Sequence, residues 1–170
     1  MKLLKSKPFY FFLIIILSGI FFFNYGTPWD LYKYDKAFEE HLESNYDGDF
    51  VVKNINYDII HQTYHAKAYE RENPELIFYV GQNISDQKIT DSYDFEKMHV
   101  DAKEKVQSVL DQHLSDFTVN VEVVSMKDKE LEINIWTEEE IDQEMEETLL
   151  QAVLKETEYT SNQFFVSAKR

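Results

Sequence analysis

His61 and His65 stand four residues apart in His61-Gln62-Thr63-Tyr64-His65, the spacing at which two imidazoles on a helix can hold one zinc ion. The neighbouring glutamate of the metalloprotease pair is missing, and the segment reads as a β-hairpin. On a strand, residues four apart lie roughly 13 Å from each other, too far for a single ion. Ordinary hairpin histidines are expected. His99 and His113 fall within about 40° of each other on one predicted helix, but about four turns separate them. They are expected at the edge of a core. Asn45, Asp47 and Asp49 around Gly48 match a calcium loop only in part, because the glycine at its sixth position and the later bidentate glutamate are absent. A helix-terminating turn is the expectation there. Glu138, Glu139, Glu140, Asp142, Glu144, Glu146 and Glu147 form the densest acidic cluster. Several of these repel at i,i+4 spacing, so a solvated helix face is expected. The alternatives are a low-affinity divalent site, a docking surface for a basic partner, or the paired carboxylates of a glycosidase. Residues 27–170 contain no Gly-x-Ser-x-Gly, Ser-x-x-Lys or His-Glu-x-x-His. No catalytic, cofactor-binding or metal-ligating residue is assigned, and no enzyme is expected.

The chain that must position these side chains has 170 residues, with 17 basic and 32 acidic side chains and a net charge of −15. Nucleic acids and anionic bilayers are bound by clustered Lys and Arg, so this balance excludes simple electrostatic binding to either. There is no cysteine, which removes disulfides, thiol catalysis and cysteine-ligated metals together. At 44% hydrophobic residues the chain can build a core. Four glycines are too few for phosphate-cradling loops.

Lys2, Lys5 and Lys7 precede an apolar stretch from Phe9 to Phe23, broken only by Ser18 and Gly19. From Pro8 to Tyr25 the helix would be roughly 27 Å long, against a hydrocarbon core of about 30 Å. Tyr25 and Trp29 would sit in the outer aromatic belt. The lysine asymmetry predicts a cytoplasmic N-terminus, an anchor over residues 1–26 that contacts the lipid bilayer through Phe9 to Phe23, and an extracytoplasmic remainder. A cleaved secretory signal is the rival, with a poor cleavage site after Gly26. An exported chain without cysteine fits a Gram-positive bacterium.

Beyond the anchor, Thr27-Pro28-Trp29-Asp30 reads as a helix start, with Leu31, Tyr34, Phe38 and Leu42 on one face and an end near Tyr46. Strands are expected over residues 50–60, 63–70 and 76–80, the last a continuous apolar run suited to the centre of a sheet. A helix follows from about Asp91 to Leu114. Strands from Phe117 and from Leu131 flank a Lys127-Asp128-Lys129 turn, and a helix spans 138–158. Residues 162–167 form a last strand. The fold class expected is α+β, with antiparallel sheets and packed helices in the order α-βββ-α-ββ-α-β after the anchor. Residues 27–90 and 91–170 form two units, or one body with a joint near 82–91.

The residues carrying this pattern resemble a known family. They are the lysine-flanked anchor, Gly26-Thr27-Pro28-Trp29, His41-Leu42-Glu43-Ser44-Asn45-Tyr46, Asp49-Phe50-Val51-Val52, Asn56-Tyr57, Asn73-Pro74-Glu75-Leu76 with Phe78, and Ile89-Thr90-Asp91-Ser92-Tyr93. Over Lys2 to Leu114 the chain resembles the YfjL-like membrane-anchored extracytoplasmic proteins of Bacillus and its relatives. The helix-plus-three-strand unit is similar to a PepSY-type module. The first resemblance supplies no catalytic residues; the second implies binding or regulation, by fold analogy. The expected function is a single-pass, membrane-anchored, noncatalytic interaction or regulatory module at the cell surface, with a membrane or wall protein as partner and no nucleic acid. The alternatives are an extracytoplasmic hydrolase using acidic residues and a structural subunit of a membrane complex. A deep cleft with converging carboxylates or histidines would favour the enzyme, and a shallow exposed sheet face would favour binding.

Overall fold

The computed structural model describes residues 7–138 and 140–168. The chain divides into two compact units, Met1–Tyr93 and Asp94–Arg170.

The first helix, α1 (Lys7–Tyr25), opens on Lys7-Pro8 and closes on Asn24-Tyr25. Its described side chains run over residues 8–22. Among the described residues, no helix is long and apolar enough to cross a membrane. This corrects the expected single-pass anchor, and with it the bilayer contact through Phe9 to Phe23, the cell-membrane location and the N-in, C-out topology. Lys2 and Lys5, on which that orientation rested, lie outside the described residues. Phe11, Phe12 and Ile14 of α1 are all exposed.

Helix α2 (Pro28–Asn45) begins as its sequence requires. Thr27 is the N-cap and its Oγ1 accepts from the Asp30 N–H at 3.1 Å, Pro28 occupies the first turn, and Asp30 meets the positive end of the dipole. Phe38 and Leu42 are fully buried on its apolar face, with Leu31 and Tyr34 packed beside them. They cover one face of a four-stranded antiparallel sheet in the order β1 (Phe50–Asp58), β2 (Thr63–Glu70), β3 (Asn73–Gln82) and β4 (Ile89–Asp91). Phe50, Val52, Tyr64, Ala66, Ala68, Leu76, Phe78 and Val80 point inward.

Two strand readings change. Val51, Ile55 and Tyr57 all stand at odd positions of the strand expected over residues 50–60, but the alternation is broken by a bulge between Lys53 and Asn56, with Asn54 at φ 54°. The extra residue reverses the pleat, so Val51 and Lys53 face outward while Ile55 and Tyr57 return to the core side. β3 is central, as its apolar run suggests, yet Ile77 and Tyr79 are exposed because α2 covers one face of the sheet. The three-residue β4, within the segment read as a joint, pairs with β3 from Val80 to Gln82.

In the second unit, α3 (Tyr93–Leu110) buries Ala102, Val106, Val109 and Leu110. The sheet orders β5 (Phe117–Ser125), β6 (Glu130–Thr137) and β7 (Thr160–Ala168). Val121, Leu131, Ile133 and Ile135 meet Leu149 and Val153 of α4 (Gln143–Thr157) in its core. Helix α4 starts later than the acidic run implied. Asp142 is its N-cap and accepts from the Met145 N–H at 2.8 Å, which leaves Glu138 and Glu140 ahead of the helix; Glu139 lies outside the described residues. β5 and β6 are antiparallel, but β6 and β7 are parallel, which corrects the expectation of purely antiparallel sheets. The cause is the connection. The fifteen residues of α4 make about 22 Å of helix, close to the roughly 26 Å of the eight-residue β6. The chain is thus carried back to where β6 began, and Thr160 pairs with Glu130.

Candidate functional site

Three of the histidines read from the sequence, His61, His65 and His99, are engaged locally. His61 lies in the β1–β2 turn with Nδ1 2.6 Å from Asp58 Oδ2. That bond, with the His61 and Ile60 backbone N–H groups, holds the Asp58 carboxyl below its usual range. His65 lies on β2 with Nε2 2.8 Å from Thr63 Oγ1. His99 stacks edge-on to Phe95 on α3 at 6.4 Å, and His113 is in the turn after that helix. Asp49 pairs with Arg71 at 2.7 Å across the hairpin. Among the described residues, no three His, Asp or Glu side chains are grouped to hold a metal ion.

A polar network that the sequence reading passed over joins α2 to β4. Asp91, its side chain 7% exposed, accepts from the His41 Nε2–H at 2.9 Å, the Tyr46 hydroxyl at 2.9 Å and the Tyr93 backbone N–H at 3.0 Å. Asn45 Nδ2 lies 3.3 Å from His41 Nδ1 and donates to the His41 carbonyl at 2.7 Å. In the tautomer that satisfies these bonds both imidazole nitrogens are used, so His41 is a tie and not a free base. The i,i+4 pair His41 and Asn45 was visible in the sequence. Its partner Asp91, fifty residues on, was not.

The outer face of β1–β4 is different in kind. Lys53 stands opposite Lys67, which stands opposite Tyr79. The neighbouring row is Val51, Tyr69 and Ile77, and the next is Asn56, His65, Gly81 and Thr90. Lys53 Nζ sits 4.4 Å from the Tyr69 ring centroid and Lys67 Nζ 5.7 Å from that of Tyr79. Ile77 and Tyr79 are 53% and 59% exposed. At one end a depression of about 250 Å³ is lined by His65, Tyr79, Gly81, Gln82, Thr90 and Ser92 among others. Its floor requires glycine, because a Cβ on Gly81 would collide with the His65 ring. Carboxylates at the margins of this face include Glu75, near the start of β3, Asp58, which His61 engages, and Asp91, which lines the depression and is held by His41 and Tyr46.

The outer face of β5–β7 has the opposite sign. Glu122 stands opposite Glu132, and their carboxylates accept from Asn120 and Asn134 at 3.0 and 3.1 Å. Trp136 and Phe165 are exposed on the same face. These three strands contain no Lys or Arg.

A larger concavity of about 590 Å³ lies where α1 meets α2, lined by Leu17, Ser18, Phe21, Phe22, Gly26, Thr27 and Pro28. It carries no titratable side chain, and its Thr27 hydroxyl already caps α2. Its size exceeds that of the depression beside His65, but its chemistry offers nothing to act on a substrate.

No protein-family model matches the chain, and no curated protein sequence matches it. Among solved structures, the chain is similar to a DUF5037 family protein from Ruminococcus gnavus, with 10% identity and a TM-score of 0.42 over 69% of this chain and 68% of that one. A likeness at that level assigns neither family nor function.

Proposed function

We propose that the protein is a noncatalytic interaction module that recognises acidic partners through the outer face of its first sheet. The observation that supports this is the placement of Lys53 directly opposite Lys67 on an exposed tyrosine-bearing face, in a chain of net charge −15. Like charges facing each other across strands are destabilising, so the juxtaposition of the two lysines is not itself a stabilising contact. A partner presenting carboxylates beside apolar side chains would neutralise both ammoniums and cover Ile77 and Tyr79. The face is open and shallow, which suits an extended peptide or a protein surface better than an enclosed small substrate. The PepSY-type resemblance points the same way by fold analogy.

The hydrolase alternative needs carboxylates or imidazoles converging at a fixed separation in unequal environments. His41 has both ring nitrogens engaged, and the Asp91 carboxylate accepts from three donors. The test is an NMR titration of the full chain with a hexaglutamate peptide. Amide shifts are expected at Lys53, Lys67 and Tyr79, diminished in half-molar salt and lost in Lys53→Glu/Lys67→Glu. Undiminished binding by that double variant, or shifts confined to other surfaces, would overturn the proposal.

A further inference from the structure

We infer that the partner of this basic face is a second copy of the same chain, docked through the outer face of β5–β7. The inference rests on the reading of the β1–β4 face as a recognition surface and names its occupant. The chain carries both halves of a complementary interface. One face presents Lys53 opposite Lys67, the other Glu122 opposite Glu132. Both pairs lie on adjacent antiparallel strands, so each sets two like-charged residues directly opposite each other. Laid face to face, two ammoniums meet two carboxylates, and each pair loses the repulsion it suffers alone.

The apolar parts match as well. Ile77 and Tyr79 lie beside the lysines, Trp136 and Phe165 beyond the glutamates, and all four are exposed large side chains. Aromatic residues flanked by complementary charge are the usual anchors of a specific interface. The absence of Lys and Arg from β5, β6 and β7 removes any charge on those strands that would repel the basic face. An association of this kind joins unlike surfaces of two copies, so charge reversal on one surface can be rescued by reversal on the other.

The test is sedimentation velocity of the full chain over a range of concentrations. The wild-type protein should self-associate, and less so in half-molar salt, because screening weakens exposed charge pairs. Lys53→Glu/Lys67→Glu and Glu122→Lys/Glu132→Lys should each weaken association roughly tenfold or more, with circular dichroism confirming that both fold. An equimolar mixture of the two should associate again, because every reversed face then meets its complement. The neutral variants Lys53→Gln/Lys67→Gln and Glu122→Gln/Glu132→Gln should show intermediate losses without rescue. A mass independent of concentration, association indifferent to these charges (as contact through the apolar α1 would be), or no rescue in the mixture would overturn the inference. Hexaglutamate binding to Glu122→Lys/Glu132→Lys separates the two claims. If it persists while the wild-type chain shows no charge-dependent self-association, the recognition face stands and only its occupant is wrong. If it too is lost, the face itself was misread.

Discussion

Lys53 and Lys67 face each other across β1 and β2, and each ammonium is turned onto a tyrosine: Lys53 onto Tyr69, two positions along β2 from its partner, and Lys67 onto Tyr79, directly opposite it on β3. The cation–π contacts draw the two charges apart over ring faces, which moderates a repulsion that the strand register imposes. The bulge at Asn54 permits this arrangement, since it lets Lys53 face outward while Ile55 and Tyr57 still reach the core.

Lys67→Glu converts the like-charged pair into an opposite one. It should raise stability by about 0.5 kcal/mol, within the usual range for cross-strand pairs. Urea unfolding at low ionic strength reads this as a higher midpoint with an unchanged slope, and the gain should shrink in salt. A lower midpoint would show that the Tyr79 contact outweighs the repulsion.

Gly26 links α1 to α2 with φ at +71°, and a Cβ there would run into the Tyr64 hydroxyl. Tyr64 is 5% exposed and stacks on Tyr34 at 4.4 Å, so it has little room to give. Gly26→Ala should destabilise by about 2 kcal/mol or more, from backbone strain and overpacking together. Gly19→Ala, where a Cβ would meet nothing within 4 Å, should be neutral or slightly stabilising. Thermal melts of the two variants should differ accordingly; equal melting points would contradict the assignment.

In the second unit the Tyr159 hydroxyl donates to Asp101 at 2.7 Å, and Lys105 reaches the same carboxylate at 3.0 Å. Burial, then the Asp101 contact, pushes the Tyr159 hydroxyl up to about 12. Its folded value lies above the ordinary value near 10, so its contribution is present in full below about pH 10 and is lost as pH rises toward 12. The loss should be of the order of 2 kcal/mol. Asp101 is shifted the other way, chiefly by the same hydrogen bond, so its contribution is present above the usual carboxylate range and is lost as pH falls through its depressed value. Tyr159→Phe should flatten the alkaline loss and weaken the acid one. An unchanged alkaline limb in that variant would assign the loss to another group.

Phe164 and Phe165 point to opposite faces of β7. Phe164 packs against the core of the second unit, while Phe165 is 52% exposed. Phe164→Ala should cost about 2–3 kcal/mol, below the full-burial figure because the ring is only partly covered. Phe165→Ala should cost under about 0.5 kcal/mol. Urea unfolding distinguishes the two, and similar midpoints would mean that β7 does not hold its register on β6.

Local chemistry was legible in the chain. The Thr27-Pro28 helix start, the end of α2 near Tyr46, the inward alternation of Tyr64, Ala66 and Ala68, the apolar face of α3 and the Lys127–Lys129 turn follow from capping, fixed proline φ and side-chain periodicity. These act within a few residues and need no partner. Three features depended on distant pairing. The parallel placement of β7 came from the length of α4 against β6, and β4 was too short to carry a pattern of its own. The bulge at Asn54 reversed an alternation that looked continuous. The apolar run at the N-terminus reads as a span in one dimension, yet among the described residues no helix is long and apolar enough to be one. The candidate recognition faces were hidden for the same physical reason. Lys53 and Lys67 are fourteen positions apart, Glu122 and Glu132 ten, and a β-sheet makes neighbours of residues whose separation is set by hairpin register, which neither composition nor periodicity encodes.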